Sequence, residues 1–313
     1  MTVRFIAEVS SNHHQDLKRC LRFIDEAARV GCDGVKFQLF KVDELFSQEV
    51  FTAQPETANR KQWELPVQFL PDLAARCREK GLLFSVTPFY LKAVEELYPY
   101  VDFYKIASYE LLWEDLLKSC ARTGKPVVLS TGMADMDEIQ HAVEIIVASV
   151  PSTQDWPCTD FPPLTLLHCV SGYPAPPDQC NLAAIQTLRE AFASYDISAH
   201  GSGTGRIEIG WSDHSVRPGV IYRAVHGWGA EMIEFHLDLE GEGEEFSTGH
   251  CWLPEGIKNV IDAVKTGFNA DGSGVKSPAP SEMPDRDWRA DPIDGLRPLK
   301  NMRNKLVKGN ARK

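Results

Sequence analysis

Residues 3–40 read VRFIAEVSSNHHQDLKRCLRFIDEAARVGCDGVKFQLF. Two short apolar runs, Val3–Val9 and Gly34–Phe40, enclose a helical pattern over Asp16–Val30 that Gly31 ends. A run, a helix and a second run predict parallel strands joined by a crossover. The turn after the first run is Ser10-Ser11-Asn12-His13-His14, without glycine. A doubly wound nucleotide-binding sheet needs a glycine-rich loop there, so a closed barrel is favoured. The alternation continues outward. Further apolar runs are Leu82–Thr87, Asp102–Ala107, Pro126–Ser130, Leu164–Val170, Ile207–Trp211 and Met232–Leu237. Helical patterns fill Val67–Lys80, Leu91–Leu97, Glu114–Thr123, Met136–Val150, Leu182–Phe192, Pro218–Trp228 and Pro254–Phe268. About eight βα units in this length predict an α/β fold, a (β/α)8 TIM barrel, over residues 1–270. Pro151–Pro163 reads as a loop. Residues 271–313 read as a short extended C-terminal tail, with no separate domain, whose basic end Leu296–Lys313 is a solvated terminus.

The formal net charge is −11, which argues against nucleic acid and anionic membranes as partners. Any bound anion must therefore meet cations gathered in a pocket. No apolar run approaches the ~20 residues of a membrane helix, and Met1–Val9 is not a signal peptide. The eight cysteines form no CxxC pair, so a zinc knuckle is not expected. Reduced thiols and a cytoplasmic location are expected.

Barrel enzymes place their chemistry at the carboxyl ends of the strands. Polar residues collect there on nearly every run. The first ends in Glu8, then Ser10, Ser11 and Asn12; the second carries Lys36 and Gln38 on one face. The fourth carries Lys105, then Ser108 and Glu110; the fifth ends in Ser130. His168, Ser171 and Tyr173 follow on the sixth, Ser212-Asp213-His214 on the seventh, and Glu234, His236 and Asp238 on the eighth. A single lysine in a strand can snorkel outward. Lys36 and Lys105 on separate strands, beside hydroxyls and amides, instead describe an anion pocket that suits a phosphorylated substrate. Neighbouring strands lie ~4.8 Å apart, so His214 and His236 can share a divalent cation, with Glu8 close by. Asn12 and Asp213 join the substrate-binding candidates by position. His168 reads as an orienting or core group. His13, His14 and His250 read as loop residues able to line the mouth, and His141, His200 and His226 as surface groups.

The segments IAEVSSNHHQD (Ile6–Asp16), GVKFQLFK (Gly34–Lys41), VTPF (Val86–Phe89) and YKIASYEL (Tyr104–Leu111) resemble the sialic acid synthase family. So do GKPVVLSTGMA (Gly124–Ala134), LLHCVSGYPAPP (Leu166–Pro177), SDHS (Ser212–Ser215) and IEFH (Ile233–His236). The resemblance implies a barrel enzyme that condenses phosphoenolpyruvate with an open-chain hexosamine such as N-acetylmannosamine. The products would be a nine-carbon sugar acid and phosphate, released by C–O cleavage. It implies that Lys36, Lys105, Ser108 and Ser130 bind phosphoenolpyruvate, with Ser212 near it. It implies that His214 and His236 hold a metal, most often Mn2+, with Mg2+ or Co2+ as alternatives. Gln38, Glu110 and Tyr173 match contacts to the sugar or the reacting centre, as does Glu8, the candidate for moving a proton. A homodimer is implied as well.

The chain departs from that pattern in three places. About 40 residues follow the barrel, too few for the small C-terminal domain of most relatives. Where many relatives carry Gly-Pro-Asp, this chain has Gly241-Glu242-Gly243-Glu244-Glu245, and Glu244 or Glu245 can stand in. Ser171 stands where some relatives have Asn. Two rival readings stay open: a Schiff-base aldolase using Lys105, and a non-catalytic sugar-binding barrel. An acceptor carrying its own phosphate would need a second basic pocket, and none is visible.

Overall fold

The computed structural model describes residues 3–151, 161–195, 197 and 205–310. Two compact units divide the chain, Met1–Gly267 and Phe268–Lys313. The loop expected at Pro151–Pro163 falls mostly outside the described residues, as do Cys158 and His200. The other seven cysteines are free and buried. No helix among the described residues is long and apolar enough to cross a membrane.

In the first unit eight parallel strands close on themselves. They are β1 (Arg4–Glu8), β2 (Gly34–Leu39), β3 (Leu83–Pro88), β4 (Phe103–Ile106), β5 (Val127–Ser130), β6 (Leu164–Cys169), β7 (Glu208–Asp213) and β8 (Met232–Leu237). Each pairs with the next, and β1 pairs with β8, which closes the barrel. All eight expected strands form. A two-residue strand, β9 (Cys251–Trp252), adds to β8 with His236 opposite Cys251.

Helices follow each strand. The first, Leu17–Val30, buries Cys20, Phe23, Ile24, Ala27 and Val30, the stripe that a 3.6-residue period places on one face. Asp16 caps it by accepting from Lys18 N, and Gly31 closes it at φ 90. Met136–Ser149 starts with a full capping box between Asp135 and Glu138. The sequence did not announce the segment between β2 and its main helix Leu70–Lys80. There Val42–Leu45, Gln48–Ala53 and a 3-10 stretch Pro55–Trp63 build a wall beside the mouth. Gln15 braces that wall by donating to the carbonyls of Lys61 and Glu64, both at 2.9 Å.

Strand alternation sorts the barrel interior into levels. Ile6, Phe103, Val128, Leu167 and Met232 form an apolar cluster. Two residues further along their strands lie Glu8, Lys105, Ser130, Cys169 and Glu234, all buried. Ionisable groups therefore occupy the level next to the mouth. In the second unit the basic end forms a helix, Lys300–Asn310.

Candidate active site

The mouth level holds five buried lysine and glutamate side chains: Glu8, Lys36, Lys105, Glu110 and Glu234. Register explains the first contacts, because Glu8 stands opposite Lys36 across β1 and β2 and opposite His236 across β1 and β8. Lys36 Nζ touches Glu8 Oε2 and lies 3.8 Å from Glu234 Oε1. Lys105 Nζ lies 3.7 Å from the same Glu234 oxygen. Two ammonium groups thus flank one carboxylate. Buried ion pairs contribute little net stability after desolvation. A level of five such groups at the catalytic end of a barrel marks a functional site.

Burial pushes the Lys36 ammonium down to about 8, opposed by the Glu234 carboxylate. Burial pushes Glu110 up to about 7, opposed by Lys105, so it can carry a proton near neutrality. Burial also raises Glu234, but Lys105 and Lys36 outweigh it and hold this carboxyl below its ordinary value.

Hydroxyls complete an anion seat. Ser108 Oγ accepts from Gly132 N at 2.9 Å, and Ser212 Oγ donates to Glu234 Oε1 at 3.3 Å. Ser130 Oγ and Ser171 Oγ are buried without a hydrogen-bond partner, as is Glu110 Oε2. Buried polar atoms rarely go unpaired in native proteins, so a ligand that bonds them is expected. Gly132 keeps the seat open: a Cβ there would strike Ser171 Oγ and come within 2.9 Å of Ser108 Oγ.

The histidines lie on the other side of the mouth. His214 and His236 rings are 5.3 Å apart between centroids, and Tyr173 covers them at 4.2 Å and 6.0 Å. His214 Nδ1 is 2.8 Å from Val170 O, which can only accept, so Nδ1 carries the proton and Nε2 offers a lone pair. Burial, together with His236 beside it, lowers the His214 pKa to about 3. The neutral ring is the ligand form. His236, Glu245, His250 and Cys251 bring one donor atom each to within 4.8 Å of one another. Imidazole, carboxylate and thiol donors grouped this closely suit a divalent ion, so the residues fit such a group. Glu245 and His250 come from the loop after β8. That loop has no periodicity; Glu245 was marked only by the position of the relatives' Gly-Pro-Asp, and His250 only as a loop residue able to line the mouth.

Beside the histidines opens a cavity of ≈ 300 Å³, lined by Gln38, Phe89, Glu244, Glu245 and His250, with Arg60 and Trp63 from the wall after β2. Gln38 lines this cavity, and Tyr173 lies against the two histidine rings. His14 lines an adjoining trough, while His13 is fully buried. His168 Nε2 bonds Cys180 O at 2.9 Å and its ring lies against Trp211.

One candidate goes elsewhere, and Asn12, which lines the trough with His14, is tied to the scaffold as well. Asp213 is fully buried, and its carboxylate accepts from Trp211 Nε1, Trp252 Nε1, Ser215 N, Ser215 Oγ and Val216 N. Adjacent strand residues face opposite ways, so Ser212 inside puts Asp213 outside, as scaffold. Asn12 donates to Leu237 O at 3.1 Å and fastens the β1 loop to β8. Glu234, between the two lysines, was not among the substrate or catalytic candidates.

The NeuB family model matches residues 23–276 of this chain. An N,N'-diacetyllegionaminic acid synthase of Legionella pneumophila is 31% identical over 91% of the chain and 78% of its own length. One from Campylobacter jejuni is 30% identical over 89% of the chain and 80% of its own length. The crystal structure of an N-acetylneuraminic acid synthetase from Leptospira borgpetersenii superposes with a TM-score of 0.74. It shares 31% identity and covers 91% of this chain and 90% of that one.

Proposed function

Since the chain belongs to the NeuB family of synthases, we propose that it condenses phosphoenolpyruvate with an open-chain N-acylated amino sugar, giving a nonulosonic acid and phosphate. The observation that carries this reading is the anion seat: two buried ammonium groups, Lys36 and Lys105, beside the unpartnered hydroxyls of Ser130 and Ser171. Phosphate and carboxylate oxygens satisfy both kinds of group.

Lys36 and Lys105 hold the phosphate and offset the charge that grows as its C–O bond breaks. Ser108, Ser130 and Ser212 fix the enol so that C3 faces the acceptor. Glu110, protonated near neutrality, donates to an oxygen of the bound anion. Glu8 accepts from Ser10 N at 2.6 Å through one oxygen and keeps the other beside Lys36, placed to take a proton from the water that adds at C2. Gln38, Tyr173 and Phe89 face the acceptor. A divalent ion held at His214 and His236, Mn2+ by family resemblance, supplies Lewis-acid polarisation of the acceptor aldehyde when bound.

The test is phosphate release from phosphoenolpyruvate against a panel of 2-acetamido and 2,4-diacetamido hexoses, with the product mass read in parallel. A nine-carbon acid from one acceptor is expected. Borohydride trapping of a pyruvate adduct at Lys105, with no phosphate release from any acceptor, would replace this reading with an aldolase.

A further inference from the structure

Glu245 lies on the segment between Gly241 and Gly249, whose φ values of 78 and 91 are in the left-handed region. Its two carboxylate oxygens do different things. Oε1 accepts from Ser11 N at 3.0 Å and from the Ser11 hydroxyl, so the β1 loop aims the group. Oε2 faces two imidazole nitrogens, His236 Nδ1 at 3.2 Å and His250 Nε2 at 3.7 Å.

The tautomer of His250 follows from its neighbour. Thr248 Oγ1 gives its proton to Glu245 O at 2.6 Å, so toward His250 Nδ1, also at 2.6 Å, it can only accept. Nδ1 then carries the hydrogen, and in the neutral ring Nε2 points a lone pair at a carboxylate oxygen. Two acceptors facing each other in a buried site repel unless a cation lies between them. The His236 and His250 rings meet edge-on with centroids 4.8 Å apart, so a third donor borders the same space.

We infer that Glu245 and His250 join His236 as direct ligands of the divalent ion, with Ser11 and Thr248 orienting them. This donor set keeps His236 of the β7–β8 histidine pair and adds a carboxylate and an imidazole from the loop after β8. Glu245 and His250 also line the ≈ 300 Å³ cavity, so ligation fastens that wall. An ion at this place orders residues 243–250 before any acceptor enters. The inference rests on the proposed reaction only for calling the cavity an acceptor site; ion binding can be measured without substrates.

The experiment titrates the purified full chain with Mn2+ and follows free Mn2+ by electron paramagnetic resonance, without substrates. Removing a single orienting partner of a metal ligand weakens binding about 10- to 100-fold. Glu245→Gln and His250→Ala are expected to lose at least that much, and Ser11→Ala about tenfold. Cys251→Ser, which changes a donor left out of the set, should bind within about twofold of the parent by the same scale. Hydrogen exchange over 243–250 should slow on adding Mn2+ to the parent and stay unchanged for Glu245→Gln. Circular dichroism checks that each variant folds, and His250→Asn replaces His250→Ala if that one does not.

Parent-like affinity in both Glu245→Gln and His250→Ala overturns the inference. So does a loss in Cys251→Ser equal to theirs. If no amino sugar is turned over but the titration behaves as stated, the reaction is wrong and the donor set stands. If an amino sugar is turned over while both variants bind Mn2+ as the parent does, the reaction stands and the donor set is overturned.

Discussion

Replacing Lys105 by methionine separates binding from folding at the anion seat. The side chain is 2% exposed; its Nζ donates to Ile106 O at 3.1 Å and lies 3.7 Å from Glu234 Oε1. Methionine keeps the length and removes the charge. Orphaning a buried carboxylate costs ~3–5 kcal/mol. Glu234, however, keeps Lys36 at 3.8 Å, so half of its compensation survives and about 1.5–2.5 kcal/mol of stability should be lost. The bound anion loses a charge-assisted contact worth about 1.5–3 kcal/mol. At ~1.4 kcal/mol per factor of ten, kcat/KM for phosphoenolpyruvate should fall roughly 10- to 150-fold. Phosphate release is followed with phosphoenolpyruvate varied at saturating acceptor, then with the acceptor varied. KM for the acceptor should barely change. Equal losses for the two substrates in a folded variant would refute the assignment of Lys105 to the phosphate.

Three further outcomes follow from the geometry. Asp213→Ala should cost about 3–5 kcal/mol in denaturant unfolding, because it strips acceptors from two buried indoles and Ser215. A raised substrate KM at unchanged stability would instead return Asp213 to the binding set. Gly132→Ala should raise KM for phosphoenolpyruvate with a stability loss of about 1–3 kcal/mol, since its Cβ enters the space of two seat hydroxyls; an unchanged KM would mean the anion sits elsewhere. The Lys36 ammonium is charged below its pKa of about 8, so kcat/KM for phosphoenolpyruvate should decline as pH rises through that value. A flat profile up to pH 10 would remove Lys36 from anion binding.

The barrel was legible because strand runs and helical stripes alternate with different periods. Lys36, Lys105 and Glu8 were legible because a charged residue inside an apolar run must either leave the core or serve a site. Glu234 shared that signal with His236, yet its place between two lysines depends on closure of the barrel. Asp213 was misplaced although the two-residue alternation was available: Ser212 and Asp213 cannot both face inward. The structure of segments 42–64 and 241–250 escaped for another reason, although Glu244, Glu245 and His250 had been named. The segments are built from short helices, a 3-10 stretch and, in the second, glycine bends, which leave little periodic trace, and their partners Gln15 and Ser11 lie far away in sequence.

One pleat period is all that divides the hydrocarbon floor of Ile6, Phe103, Val128, Leu167 and Met232 from the ionic storey above it. The floor acts as insulation: it seals the charges from solvent below, so the field between ammonium and carboxylate is directed upward, toward whatever enters. It also makes the two storeys separately exchangeable. A designer can rewrite the upper side chains for another anion while the lower ones go on holding the staves together.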